Sequence, residues 1–261
     1  YLEAAPDAPT LIYEAHMDTV LVEGMTIDPF DPVIKDGKMF GRGSCDTKAS
    51  LASMMVALKR LAEDPDHPRI NLVLVAVMDE EFQFTGIKHA LANGLKADFG
   101  ICGEPTELDL VIAHKGIVRW KIHTSGVSTH SARCDEGVNA IYRMARIVSG
   151  LERFHREELS SRPQNKLLGV PTLSVGRIIG GQTVNTVPDW AHIEIDRRLL
   201  PGEKGEEAVN EVQAFLKEQP EIDFTFKMDE PFLDDPAMEI SASETVVAAL
   251  ADASESVRGP R

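Results

Sequence analysis

The sequence predicts an α/β protein carrying an inserted α+β module, on three observations. Between residues 10 and 102, apolar strand-like runs alternate with helical periodicity in the order strand, helix, strand, helix, strand. From about residue 114 the strand pattern changes to apolar–polar alternation, typical of antiparallel strands with one wet face. A late amphipathic stretch, 243–254, is suited to packing back on the first sheet. The expected boundaries are 1–113 for the first part of the leading domain, 114–226 for the insert, and 227–261 for the domain's second part.

Element by element, Thr10-Leu11-Ile12-Tyr13-Glu14-Ala15 reads as a strand ending in His16-Met17-Asp18-Thr19-Val20. Period two places His16 and Asp18 on one side, where the carboxylate can orient the imidazole. A loop follows, with turn signals at Asp28-Pro29, Asp31-Pro32 and Asp36-Gly37. Gly41-Arg42-Gly43-Ser44-Cys45-Asp46 then leads into a helix over about 47–62, its apolar stripe being Leu51, Met54, Met55, Leu58 and Leu61. Asp46 stands where an N-cap belongs, and that structural role competes with a chemical one.

After a Pro-rich break at Asp64-Pro65-Asp66-His67-Pro68, the run Ile70 to Ala76 has the composition of a buried strand. It delivers three acids, Asp79-Glu80-Glu81, next to a core. Charge there is costly unless cations, solvent or metal satisfy it. A solvated acidic turn is the plainer reading of the triplet alone. On an extended segment Glu80 and Glu81 point to opposite sides, so one can bind a metal while the other acts as base. A helix over about 85–93 and a strand over 97–102 follow, ending in Gly103-Glu104-Pro105-Thr106. His16, Asp46, Glu80, Glu81 and Glu104 thus fall at the carboxyl ends of successive units, where open α/β sheets bind ligands. Five potential ligands at corresponding ends favour a metal site over five separate turns.

In the insert, strands are expected over 117–123, 172–178 and 192–196, and helices over about 139–156 and 206–218. Composition limits the partners. With 261 residues, 43% hydrophobic and 26% charged, the chain can bury a real core. A net charge of −15 and a pI near 5.0 argue against nucleic acid and anionic membrane. No apolar run approaches the ~20 residues of a spanning helix. Three scattered cysteines, Cys45, Cys102 and Cys134, fit a reducing cytosol better than a disulfide framework. A cytoplasmic protein is the expectation.

The ordered motifs carry a resemblance over nearly the whole chain. His16-Met17-Asp18-Thr19-Val20, Gly41-Arg42-Gly43 with Asp46-Thr47-Lys48, Asp79-Glu80-Glu81 and Gly103-Glu104-Pro105-Thr106 come first. His130-Ser131-Ala132-Arg133, Gly137 to Ile141, Gly180 to Pro188 and Asp196 to Gly202 continue them. Together they resemble the co-catalytic zinc family of acetylornithine deacetylase, succinyl-diaminopimelate desuccinylase and carboxypeptidase G, with the deacetylase branch nearest. The resemblance implies a zinc-peptidase-like α/β catalytic domain with an inserted ferredoxin-like dimerisation or lid domain. It implies that Asp46 bridges two divalent ions, most readily zinc, with cobalt or manganese as substitutes. His16 and Glu104 would complete one site and Glu81 the other, with Glu80 as general base and Asp18 supporting His16. Two ions ~3.5–4 Å apart acidify a water and polarise the scissile carbonyl.

By the same resemblance the enzyme is a homodimer in which His130 reaches the partner's site to stabilise the oxyanion. Asn185 and Arg198 would hold the substrate, Arg198 through a bidentate grip on an α-carboxylate; a structural role remains open for both. His89, His114 and His123 match no metal position, and Cys45 is expected to point away from the site. The implied reaction is hydrolysis of the amide of an N-acyl amino acid. A dipeptidase or carboxypeptidase on the same machinery is the nearest alternative. The family's histidine near the carboxyl terminus and its opening strand and helix have no counterpart here. The expectation is therefore a chain truncated at both ends, with a weak second metal site and poor activity, or one serving as a dimerising module.

Overall fold

In the computed structural model, which describes residues 1–66 and 70–259, the chain forms two compact units. The first comprises Tyr1–Leu110 with the segment from Ala248 onward. Its strand β1 (Thr10–His16) is followed by a short hairpin, β2 (Val33–Lys35) and β3 (Lys38–Phe40), within the expected loop. Helix α1 (Lys48–Glu63), β4 (Asn71–Val77), α2 (Thr85–Ala92) and β5 (Phe99–Cys102) complete the alternation. The Pro-rich break ends at His67 and Pro68, which lie outside the described residues.

β1 is the middle strand, parallel to β4 on one side and β5 on the other. Its register pairs His16 with Val77 and Glu14 with Cys102, so β4 ends level with β1 and β5 two residues short of it, at the same edge. The side chains immediately after those ends therefore share one rim, as in doubly wound sheets. Buried Asn71 fixes the lead-in: its Oδ1 accepts the Ala4 amide at 2.8 Å, and its Nδ2 donates to Ala5 and Ala8 carbonyls at 2.9 and 3.0 Å. Leu51, Met54, Leu58 and Leu61 of α1 are half-buried, whereas Met55, expected in the same stripe, is exposed.

The second unit spans Val111–Val247. It contains β6 (Ala113–His114), β7 (Gly116–Ser125), α3 (Ala140–Arg153), β8 (Thr172–Gly180), β9 (Trp190–Leu199) and α4 (Gly205–Glu218). β10 (Phe226–Met228), β11 (Leu233–Asp235) and β12 (Met238–Glu239) follow. The main sheet has the order β10-β7-β9-β8 with every pairing antiparallel. With α3 between β7 and β8 and α4 between β9 and β10, this is the βαββαβ ferredoxin-like arrangement.

Alternation sends Val118, Trp120 and Ile122 of β7 and Ile193, Ile195 and Leu199 of β9 to one face. Met144, Ile147 and Leu151 of α3 and Ala208, Val212 and Leu216 of α4 cover them. Each fully buried Val, Leu, Ile or Met among them contributes roughly 1.5–3 kcal/mol of transfer free energy. The expected boundary at 226 moves outward: β10 and β11 both pair with β7, so residues 227–247 belong with this unit. α3 also runs on into a π-turn over Phe154–Leu159.

Helix α5 (Thr245–Arg258) returns the chain to the first unit. It was expected to pack on the first sheet, but it buries none of its residues; its long-range hydrogen bonds go to the loop at 107–109. Among the described residues, no helix is long and apolar enough to cross a membrane.

Candidate metal centre

The rim formed by the ends of β1, β4 and β5 gathers the acids and the histidine. His16 is the last residue of β1 and its side chain is 1% exposed. Its Nδ1 lies 3.0 Å from the Asp18 carbonyl oxygen. A carbonyl only accepts, so Nδ1 carries a proton, and in the neutral ring Nε2 keeps the lone pair that a metal would take. Nε2 faces Asp46 Oδ1 at 3.0 Å, Glu80 Oε2 at 3.8 Å and Glu104 Oε1 at 3.8 Å. Glu81 joins His16 and Asp46 in a second group, with one donor atom of each residue within 4.8 Å of the others. Donors sharing one tetrahedral ion at ~2.0–2.2 Å lie about 3.3–3.6 Å apart. The observed spacing brackets that value, and a mixed imidazole–carboxylate set suits zinc-like ions. The residues present fit a divalent metal.

Local structure explains the convergence. Asp46 is not the cap of α1: Thr47 takes the N-cap position without a side-chain cap bond, which leaves the Asp46 carboxylate to His16. Thr47, fully buried, donates from Oγ1 to the Gly103 carbonyl at 2.6 Å, tying the start of α1 to the end of β5. Gly103 must be small, because a Cβ there would stand 2.8 Å from Ser50 Cβ and 2.9 Å from Met54 Cε. Lys48 Nζ donates to the Met17 carbonyl at 2.7 Å, a further tether to β1.

Glu80 and Glu81 do not continue the strand, so their division does not arise from strand alternation. β4 ends at Val77, and Asp79 turns the chain in a left-handed conformation with φ 62°. The Asp79 carboxylate accepts the Thr85 hydroxyl at 2.6 Å, bracing the start of α2. Asp18 then holds the turn from below: its Oδ1 accepts the Glu80 amide and its Oδ2 the Glu81 amide, both at 3.2 Å. Thus the backbone carbonyl of Asp18 orients His16, while its carboxylate orients the two glutamates and lies 3.6 Å from His16 Nδ1.

Protonation follows the crowding. Burial raises Glu104 to about 7, reinforced by the Asp46 and Glu80 charges. Burial also raises Glu80; His16 opposes it, and the Glu81, Asp18 and Asp46 charges add to it. For His16, burial opposes the charged ring, but Asp46, the Asp18 carbonyl, Glu80 and Glu104 together raise its pKa. Burial acts upward on Asp18 too, and the Glu81 and Glu80 amides reverse it, lowering the pKa so that this carboxylate stays charged. Acids crowded until one holds its proton near neutrality are what a bound cation would relieve. Replacing Asp18 by Ala is expected to lower divalent-ion affinity 10–100-fold through loss of both amide contacts, as measured by calorimetric titration.

The remaining candidates lie in the second unit. His130 is exposed, and its Nδ1 accepts the Ala132 amide at 3.1 Å. The Ser131 amide donates to the Asn185 carbonyl at 3.0 Å, so His130 and Asn185 stand side by side on neighbouring loops. Arg198 is not with them. It lies eight residues along β9 from Trp190, about 27 Å at strand spacing. Its guanidinium is held by Asp196, Nε to Oδ1 at 2.7 Å. Cys45 is exposed and joins no candidate metal group among the described residues. His89, His114 and His123 likewise join none; His123 Nε2 instead meets Asp229 Oδ2 at 2.6 Å.

Fold and site together define the class: an α/β protein with a candidate histidine–carboxylate metal site at the carboxyl rim of a parallel sheet. The peptidase family M20/M25/M40 model matches residues 12–261, and the chain belongs to that family. An acetylornithine deacetylase of Proteus mirabilis is 36% identical over 198 residues, 74% of this chain and 50% of that protein. The chain thus spans about half the length of the curated relatives it matches. The aminopeptidase PepT of Bacillus cereus superposes with a TM-score of 0.68 at 25% identity, covering 98% of this chain and 67% of that one. The M20 family metallo-carboxypeptidase of Sulfolobus solfataricus shares the fold with a TM-score of 0.81 at 20% identity, covering 98% and 71%. Membership implies use of a divalent metal.

Proposed function

We propose that the chain carries the catalytic centre of a metal-dependent hydrolase that cleaves the amide bond of an N-acyl amino acid, as the acetylornithine deacetylase relatives are named to do. The observation that carries the reading is the convergence of Asp46, Glu80 and Glu104 within 3.0–3.8 Å of His16 Nε2, with Glu81 beside them. His16, Asp46, Glu81 and Glu104 would hold two divalent ions, zinc being the best match to the donor set, with Asp46 between them. Such ions, when bound, polarise the substrate carbonyl and acidify a water.

The protein's own groups do the rest. Glu80, its pKa raised by burial above the ordinary carboxylate value, takes a proton from the attacking water and hands it to the leaving amine. Asp18 keeps Glu80 and Glu81 in place through their amides. In a homodimer assembled through the second unit, exposed His130 would donate to the developing oxyanion of the partner's substrate. Asn185, its neighbour, would bind the substrate beside it. For Arg198 the support is weaker, since Asp196 already occupies its guanidinium. A peptidase acting on short peptides is the second reading, favoured by the likeness to an enzyme described as the aminopeptidase PepT.

A hydrolysis assay tests both readings, with N-acetyl amino acids and dipeptides offered side by side in the presence of zinc or cobalt. Faster turnover of the acylated amino acids supports the first, and faster turnover of dipeptides the second. Hydrolysis of neither overturns both.

A further inference from the structure

Glu104 leaves β5 on a backbone that is fixed on only one side by the sheet. There the Gly103 amide donates to the Glu14 carbonyl at 2.8 Å, and Thr47 holds the Gly103 carbonyl. On the other side the Thr106 amide donates to the Glu104 carbonyl at 2.9 Å, and Thr106 opens a tight turn. That turn is closed by the Asp109 amide donating to the Thr106 carbonyl at 2.9 Å and by the Thr106 hydroxyl donating to the Asp109 carbonyl at 2.7 Å. Its two central residues, Glu107 and Leu108, both have positive φ, 55° and 66°. Turns of that kind normally use Asn-Gly, because a Cβ resists the left-handed region, and a bulky leucine resists it strongly. Such a conformation persists only where surrounding contacts over-determine it.

Those contacts come from α5. Arg258 donates from Nη1 to the Glu107 carbonyl at 3.1 Å and to Asp109 Oδ1 at 2.7 Å. Ser254, one turn earlier on the same helix, donates from Oγ to the Leu108 carbonyl at 2.8 Å. Both strained carbonyls and the residue after them are therefore gripped by one helix. α5 buries no residue fully, and its long-range hydrogen bonds among the described residues go to this turn. Two of these bonds reach the carbonyls of the two positions with unfavourable φ and the third the carboxylate that follows them, more than anchoring a helix end needs.

We propose that Arg258, seconded by Ser254, is a positioning residue for the metal centre: it clamps the Glu107–Leu108 turn and so sets where Glu104 reaches toward His16. The proposal rests on the reading of the cluster as a metal centre. A residue acting through a ligand's backbone shifts affinity and coordination rather than proton transfer, with losses on the order of 10–100-fold.

The test is a Co²⁺ titration of the full chain followed by visible absorption, with Glu104→Ala as a control. Arg258→Ala is expected to weaken cobalt binding at least about tenfold and to alter the absorption bands; Arg258→Lys should recover part of the loss. Leu108→Gly removes the strain, so in that background the Arg258→Ala loss should shrink. Unchanged affinity and spectrum in Arg258→Ala, or an undiminished loss in the Leu108→Gly background, overturns the clamp. If the unsubstituted chain binds no Co²⁺, or Glu104→Ala binds it unchanged, the metal-centre reading itself fails. The control arms alone would reveal that outcome.

Discussion

Glu80→Gln is expected to cut amide hydrolysis by about 10²–10⁴-fold while leaving divalent-ion binding within a few-fold of the unsubstituted chain. Gln keeps the size, and its carbonyl can still face His16, which Glu80 Oε2 approaches at 3.8 Å. What it loses is the ability to carry a proton. Glu80 is suited to that task because burial raises its pKa above the ordinary carboxylate value, against the pull of His16. The amide of residue 80 still donates to Asp18, so the turn is expected to survive the change. Initial rates and calorimetric zinc titrations on the same preparations check the split. Loss of binding in parallel with rate would make Glu80 a ligand rather than a base.

The second large effect is structural. Arg197 projects from β9 into the core of the second unit with its side chain 0% exposed. Burial pulls its pKa down, and Glu203 opposes this with Oε1 3.0 Å from Nη2. Glu203 also takes Arg162 Nη1 at 2.9 Å and, through Oε2, the Leu200 amide at 2.7 Å. Arg162 in turn bonds Glu211 of α4. Glu203→Ala leaves the buried guanidinium without its acid and frees the β9–α4 connection. It is expected to cost about 3–5 kcal/mol in denaturant unfolding of the second unit. Arg197→Met, which removes the charge instead of stranding it, should cost clearly less. Equal losses for the two substitutions would mean that packing rather than charge governs the site.

Much of this was legible in the residues. The apolar runs at 10–15 and 70–76 became parallel neighbours, and Trp120, Ile122, Ile193 and Ile195 fell on the buried face that their alternation marked. His16, Asp46, Glu80, Glu81 and Glu104 converge because parallel strands in register must end on one rim. What stayed hidden depends on contacts distant in sequence. Asp18 was expected to serve His16 through its carboxylate, yet that group holds the amides of residues 80 and 81, 62 and 63 positions away. The Glu80–Glu81 division was expected from strand alternation, whereas the strand ends at Val77 and a left-handed Asp79 turns the chain before the two acids, a conformation with only a weak local signature in an Asp. β10 and β11 are three residues each, too short for periodicity to reveal, so the insert's end was placed too early. Nothing near Arg258 signals its partners at 107 and 109, about 150 residues upstream.

On the proposed function, the rim of the β4-β1-β5 sheet binds divalent metal through Asp46. Calorimetric titration with zinc, on the chain and on Asp46→Ala, tests it most directly. The second unit has its own core, so a folded Asp46→Ala protein is expected and can be verified by its unfolding transition. The chain is expected to bind zinc and Asp46→Ala to lose that affinity at least about 100-fold. Zinc binding that survives unchanged without Asp46, or no binding by the intact chain, would contradict it.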